Sequence, residues 1–476
     1  MKPLYSLNEI IAATGGVAQN IEAINIEAIN ISSISIDSRE IEKKALYVAI
    51  KGDVFDGHDF VKSAIENGAI AALVSREKAA SLNGLPLIIV PDALEGLINI
   101  ARYARSRSNA KIIAVTGSAG KTSTKEVLKE VLQNFGKTHA SIKSFNNHWG
   151  VPLMLARMAQ EIEFGIFEIG MNHAGEIAPL SKLVEPDIAI ITNVAPAHLE
   201  QLDSLENIAK AKAEIFDGLK KSGIAVINMD HEQSDILLNS AKKAGIKKII
   251  TYGFADEAGV KIINSKANAK GMSALVCWPN MKLNLEISNS GRHRLANASV
   301  ALIVVGELGL DFKKSLKTLK NISDPQGRGQ VIKLGDAENP LTIIDESFNA
   351  NPLSMSLTLE VFKEMSALNG KKILVLGDML ELGEKSEILH KQLKNDVRAV
   401  GADKVFFIGR FMSSLSDEFE GFGVSAKADN LKDIQKTIIN SLDFGDVIMV
   451  KGSKGTGLAG LVKEISQKFT VKTSPR

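Results

Sequence analysis

The residues best able to do chemistry lie in Thr116-Gly117-Ser118-Ala119-Gly120-Lys121-Thr122-Ser123. The run follows the apolar stretch Lys111-Ile112-Ile113-Ala114-Val115 and precedes a segment whose Val127, Leu128, Val131, Leu132 and Phe135 recur on one helical face. The spacing predicts strand, tight glycine turn and helix. In that order, backbone N–H groups and the positive end of a helix dipole face a phosphate, Lys121 adds an ammonium, and Thr122 adds a hydroxyl able to bind metal. The general phosphate-loop pattern has a glycine six residues before its lysine. Here Val115 stands there and Gly117 comes two residues later, so an incidental glycine turn is the competing reading.

A second constellation follows on the same sheet. Glu168 ends the apolar strand Ile166-Phe167-Glu168-Ile169-Gly170, and a carboxylate there is costly unless it is paired or bound to metal. Ligands of an open α/β sheet gather at the carboxyl ends of its strands, so Glu168 is expected beside the phosphate loop, as an Mg²⁺ ligand with Thr122 or in a buried ion pair. His198 follows the apolar run 187–192 and a turn containing Pro196; its neutral imidazole suits a metal or an ordinary hydrogen bond. Lys210 and Lys212 lie on a helical segment but, two residues apart, do not share a face.

These residues need a sheet to hold them, and the rest of the chain reads as several. At 476 residues the length suggests about three domains. Residues 1–106 contain short strands at 34–39, 46–50 and 69–74, with the polar turn Asp56-Gly57-His58 between them. Residues 107–326 form the nucleotide-binding centre, entered through a linker at 102–109. Residues 327–476 alternate helices with buried-strand runs at 341–345, 372–378, 405–409 and 446–450, a Rossmann-like pattern without the full dinucleotide fingerprint. The fold class is therefore α/β in three domains, the central one a mostly parallel sheet of the P-loop type with helices on both faces.

Lys and Arg exceed Asp and Glu by two, so nothing in the charge asks for nucleic acid or a membrane surface. Cys277 is the only cysteine, which excludes an intrachain disulfide and a cysteine-based metal site. There is no signal-like h-region near Met1 and no long apolar run. A cytoplasmic monomer is expected. The tandem repeat of residues 21–30 is too short for a solenoid and carries no functional reading.

The compact loop T-G-S-x-G-K-T resembles that of the Mur ligase family and its folylpolyglutamate synthetase relatives, in which ATP activates a carboxylate for amide formation. Ordered motifs extend the resemblance along the whole chain: Asn146-Asn147-His148-Trp149-Gly150-Val151-Pro152, Glu168-Ile169-Gly170, Asn193 to Glu200, Gly291 to Ala298, and Asp345-Glu346-Ser347-Phe348-Asn349-Ala350-Asn351-Pro352. The last run, with Gly377 to Glu384, His390 and Lys451-Gly452-Ser453, is similar to the members that add D-alanyl-D-alanine to UDP-N-acetylmuramoyl-tripeptide. Phe348 replaces their tyrosine and Lys454 their arginine.

The resemblance implies a reaction through an acyl phosphate, with ATP and two Mg²⁺ ions. It places the nucleotide on Gly117 to Ser123, Asn297, Arg328, Asp345 and Asn349, and the metal on Thr122, Glu168 and His198. It places UDP-sugar substrate on Ser38, Arg39, Asn146, Asn147, His148, Asn172 and His173, and catalysis on Lys121, His198, Lys212 and Arg328. Lys212 matches a lysine that many members carry as a carbamate; unmodified, it would contact phosphate or substrate. For Arg39 a surface salt bridge is the competing reading. A sister ligase adding diaminopimelate would carry D-N-P-R, and a GTPase N-K-x-D; neither occurs.

Overall fold

The computed structural model describes residues 3–21, 29–142, 144–197, 199–268, 271–288, 290–367, 369–419 and 424–470. His198 and most of the tandem repeat lie outside them.

The first domain is a five-stranded sheet ordered Val17–Gln19, Leu87–Val90, Ala71–Ser75, Leu46–Val48, Ile34–Ser35, parallel except for its first pairing. The strand expected at 34–39 stops at Ser35. There Ser35 Oγ accepts the Asp37 N–H at 3.1 Å and Asp37 Oδ1 that of Arg39 at 3.0 Å, and such local bonds compete with a strand ladder. The linker expected at 102–109 is also corrected. Asp92 caps the Ala93–Ser106 helix, which runs through most of that stretch. Arg105 is buried and donates to the carbonyls of Val184 and Glu185, and Arg107 lies 4.0 Å over the Tyr5 ring. The joint is a packed surface because its basic residues find carbonyl and aromatic partners.

The central sheet has nine strands. Six of its pairings are parallel and two, at the Val260–Asn268, Gly271–Trp278, Met281–Ile287 edge, are antiparallel. The Lys111–Thr116 strand lies inside it, between Phe164–Glu168 and Ile188–Ile191. Side chains alternate across a strand: Ile112 and Ala114 join the core of one face, Ile113 and Val115 that of the other, with Leu128 and Val131 of the Lys121–Leu132 helix. The phosphate loop is thus anchored on both sides by apolar packing.

The third domain has six strands ordered Gln330–Leu334, Leu341–Glu346, Val447–Lys451, Lys372–Gly377, Lys404–Ile408, Val424–Ala428, parallel except for the first pairing. Its Leu341–Glu346 and Val447–Lys451 strands point their carboxyl ends, Glu346 and Lys451, at the central domain's cavity.

Candidate active site

Gly120, at φ 82°, turns the chain into the Lys121–Leu132 helix, whose start carries no side-chain cap. Its first-turn N–H groups therefore face the cavity as a ready anion site. The loop before it is fastened: Ala119 N–H donates to Asn193 Oδ1 at 2.8 Å, Ser118 Oγ donates to the Ala195 carbonyl at 2.9 Å, and Thr192 Oγ1 donates to the Ala119 carbonyl at 2.6 Å. Gly117 is required by this closeness, because a Cβ there would meet Thr192 Oγ1 at 1.9 Å. Lys121 Nζ donates to the Gly117 carbonyl at 2.6 Å. Burial and then the Arg328 charge push its pKa down, while Glu168 works against them.

Glu168 is 2% exposed. Its Oε2 accepts the Thr122 hydroxyl at 2.7 Å and its Oε1 the Asn146 amide at 2.7 Å. This is a set of hard oxygen donors with no lysine or arginine bonded to the carboxylate among the described residues, which fits Mg²⁺ completed by phosphate and water. Among the described residues no three His, Cys, Asp or Glu side chains form a metal-holding group. Lys212 is fully buried in the Leu205–Ala213 helix, and burial plus the Lys121 charge hold its pKa well below the ordinary lysine value.

The third domain supplies the opposite wall. Arg328 lies 4.2 Å over the Phe348 ring, and Lys454 faces the same ring at 6.0 Å. Burial lowers the Arg328 pKa against the pull of Glu168 and Glu346. Asn351 Nδ2 reaches the Ser118 carbonyl at 3.4 Å, tying this domain to the phosphate loop. The space enclosed is about 1200 Å³.

The expected residues divide. Ser118 to Lys121, Ser123, Asn146, Asn147, Glu168, Asn172, Asn297, Arg328 and Asn349 line the cavity. Asn297, on the Arg292–Glu307 helix, accepts the Thr124 hydroxyl at 3.1 Å. Asp345 does not line it. Its carboxylate accepts from the Gly327 N–H at 3.1 Å and from Ser347 Oγ at 2.6 Å, so it holds the loop that carries Arg328. His173 pairs with Glu176 at 2.9 Å on the surface, and His148 is exposed. Ser38 and Arg39 lie on the first domain, where Arg39 is 85% exposed and paired with Asp37 at 2.7 Å. His58 is structural: Asp56 and the Ser75 N–H occupy its two ring nitrogens.

Several lining residues escaped the sequence reading. Glu346 lies between Lys451 at 3.5 Å and Arg294 at 3.9 Å. Arg292 lies 4.2 Å over Phe254, near Asp230 and His231. The usable signal was the one that pointed to Glu168: polar residues just past an apolar strand, as in Ile224 to His231.

This architecture is that of an ATP-loop ligase, and the chain belongs to the Mur ligase family. The family's catalytic domain matches residues 30–135, the Mur ligase middle domain residues 115–305, and the Mur ligase glutamate ligase domain residues 327–454. Among its relatives are the UDP-N-acetylmuramoyl-tripeptide–D-alanyl-D-alanine ligases of Rickettsia prowazekii, 36% identical over 88% of this chain and 92% of that one, and of Escherichia coli, 34% identical over 89% and 91%. The structure resembles MurF from Acinetobacter baumannii (TM-score 0.84, 27% identity, 98% and 99% covered). It also resembles the MurF ligase from Thermotoga maritima in complex with ADP (TM-score 0.77, 25% identity, 92% and 97% covered).

Proposed function

We propose that the chain is the ATP-dependent ligase that joins D-alanyl-D-alanine to UDP-N-acetylmuramoyl-tripeptide in peptidoglycan precursor synthesis. The observation that carries this reading is the single cavity in which the phosphate loop's Lys121 and the third domain's Arg328 and Asn349 face each other. On this reading residues 1–106 take the UDP-sugar, 107–326 take ATP, and 327–476 bring the amine. No helix among the described residues is long and apolar enough to cross a membrane.

The first step moves the γ-phosphoryl group of ATP onto the tripeptide carboxylate. Two anions meet, so catalysis is mainly charge neutralisation and positioning. Lys121 and the open first-turn N–H groups hold the phosphates, and Arg328 approaches from the far side, steered by Phe348. Thr122 and Glu168, with His198, would hold Mg²⁺, two ions in the full site, which would supply shielding of the phosphate oxygens. Lys212, whose pKa is held well below the ordinary lysine value by burial and by the Lys121 charge, is able to take up CO₂ as a carbamate, with loss of a proton, which puts an anion beside Lys121. Asn146 and Asn147 orient the UDP-sugar side, where Asn172 also lies, and Asn297 faces the adenine.

The test is ADP and phosphate release with Mg²⁺-ATP and UDP-N-acetylmuramoyl-tripeptide, with and without D-alanyl-D-alanine, following product mass. Turnover needing all three and yielding the pentapeptide is expected. Release indifferent to the dipeptide but responsive to another amine would reject the substrate assignment.

A further inference from the structure

The loop after the Lys372–Gly377 strand takes no part in the function derived so far, yet several bonds hold it. Asp378 Oδ1 accepts the Met412 N–H at 2.8 Å. The Met379 N–H donates to His390 Nε2 at 2.9 Å, while His390 Nδ1 donates to the Ser386 carbonyl at 2.6 Å. The Leu380 N–H donates to Ser453 Oγ at 3.0 Å, and the Ser453 N–H to the Asp378 carbonyl at 3.0 Å. The next residue, Glu381, has φ 65°. That region is costly for a residue with a Cβ, and such conformations persist where the surroundings impose them, commonly at functional sites.

The loop carries Glu381 across the gap between domains. Glu381 lines the cavity, and its charge acts on the Lys121 ammonium of the central domain. Gly383 packs on the Leu199–Leu202 helix, where a Cβ would lie 3.1 Å from that of Glu200. The pinned backbone thus sits between the third domain's own strands and the central domain.

The ligase reading, on which this inference rests, creates a need for a proton acceptor that reaches the cavity from the amine-bearing third domain. An incoming α-amine has a pKa of about 7.7–8.0 and arrives largely as an ammonium, which has no lone pair. We propose that Glu381 is the catalytic carboxylate that receives this ammonium and takes one proton from it before the amide forms. The freed lone pair makes the C–N bond at the acyl carbon, the C–O bond to phosphate breaks, and phosphate leaves with that electron pair. The second proton lost by nitrogen leaves with the phosphate. His390 and Ser453 are positioning residues, acting through the backbone that presents Glu381.

The test uses Glu381→Gln with Mg²⁺-ATP and UDP-N-acetylmuramoyl-tripeptide, offering either D-alanyl-D-alanine or hydroxylamine, which is mostly neutral at pH 7, has no ammonium proton to give up before attack, and loses its one proton with the phosphate. Turnover is expected to fall about 100-fold or more with the dipeptide and to stay within about threefold of wild type with hydroxylamine. Equal losses with both nucleophiles, or an unchanged dipeptide rate, would overturn the assignment. Glu381→Gly, which suits the positive φ, is expected to lose dipeptide turnover with an equal or higher melting temperature; a lower melting temperature would make the side chain structural instead. If the wild-type chain forms neither pentapeptide nor hydroxamate, the ligase reading itself falls, a result separate from any pattern among the variants.

Discussion

Thr122 Oγ1 donates to Glu168 Oε2 at 2.7 Å, joining the first turn of a helix to the end of a neighbouring strand 46 residues away. The contact exists because the Phe164–Glu168 and Lys111–Thr116 strands pair in parallel with Glu168 opposite Val115. It puts a carboxylate and a hydroxyl within reach of one cation at the phosphate end of the cavity. Glu168→Gln keeps the shape and one of the two accepted hydrogen bonds but loses the charge. ATP turnover is expected to fall by about 10²–10³, the range for losing one preorganised electrostatic group, with a raised Mg²⁺ requirement in a titration of ADP release. A rate and Mg²⁺ dependence equal to wild type would remove Glu168 from the metal site.

Lys212 is a buried amine held well below its usual pKa by burial and by Lys121. A neutral amine is the form that adds CO₂. Carbon-13 bicarbonate should therefore give the protein a carbamate resonance that is absent from Lys212→Arg, whose guanidinium stays charged. No difference between the two spectra would leave Lys212 as a plain phosphate contact.

Phe348 offers Arg328 a ring face at 4.2 Å. A cation on a ring in a partly desolvated site contributes about 1 kcal/mol. Phe348→Leu should lower kcat about fivefold at saturating ATP, and Phe348→Tyr, which keeps the face, should not. Steady-state rates for the two variants decide whether the ring steers Arg328.

Gly117 has φ 150° and no room for a methyl group. Gly117→Ala drives a Cβ into the Thr192 hydroxyl, so the loop must shift at a cost of about 2–4 kcal/mol. Urea unfolding should register that loss, together with weakened binding of an ATP analogue.

His139 donates from Nε2 to the Met154 carbonyl at 2.8 Å, and burial pushes its pKa down to about 4. Its folded pKa is below its unfolded value of about 6.5. Between those values the unfolded chain binds more protons, so this residue's contribution is full above pH 6.5 and is lost as pH falls towards 4. The slope reaches about 1.4 kcal/mol per pH unit. His139→Gln should flatten that part of the stability curve, read as the difference between wild-type and variant unfolding at pH 7 and pH 5.

Local patterns in the sequence determined a good deal. The phosphate loop was legible because strand, glycine turn and helix are adjacent in the chain. Glu168 was legible because a lone carboxylate in an apolar strand needs a partner, and the parallel sheets because buried strands read as apolar runs. Pairings between distant segments were not legible. That Asp345 spends its carboxylate on Gly327 and Ser347, that basic residues near 105 form a packed joint, and that Glu346 meets Lys451 depend on which loops the folded sheets bring together. Only the tertiary structure decided those, because a carboxylate or guanidinium has the same local signature whether it binds substrate, braces a loop or faces water, and its surroundings come from elsewhere in the chain.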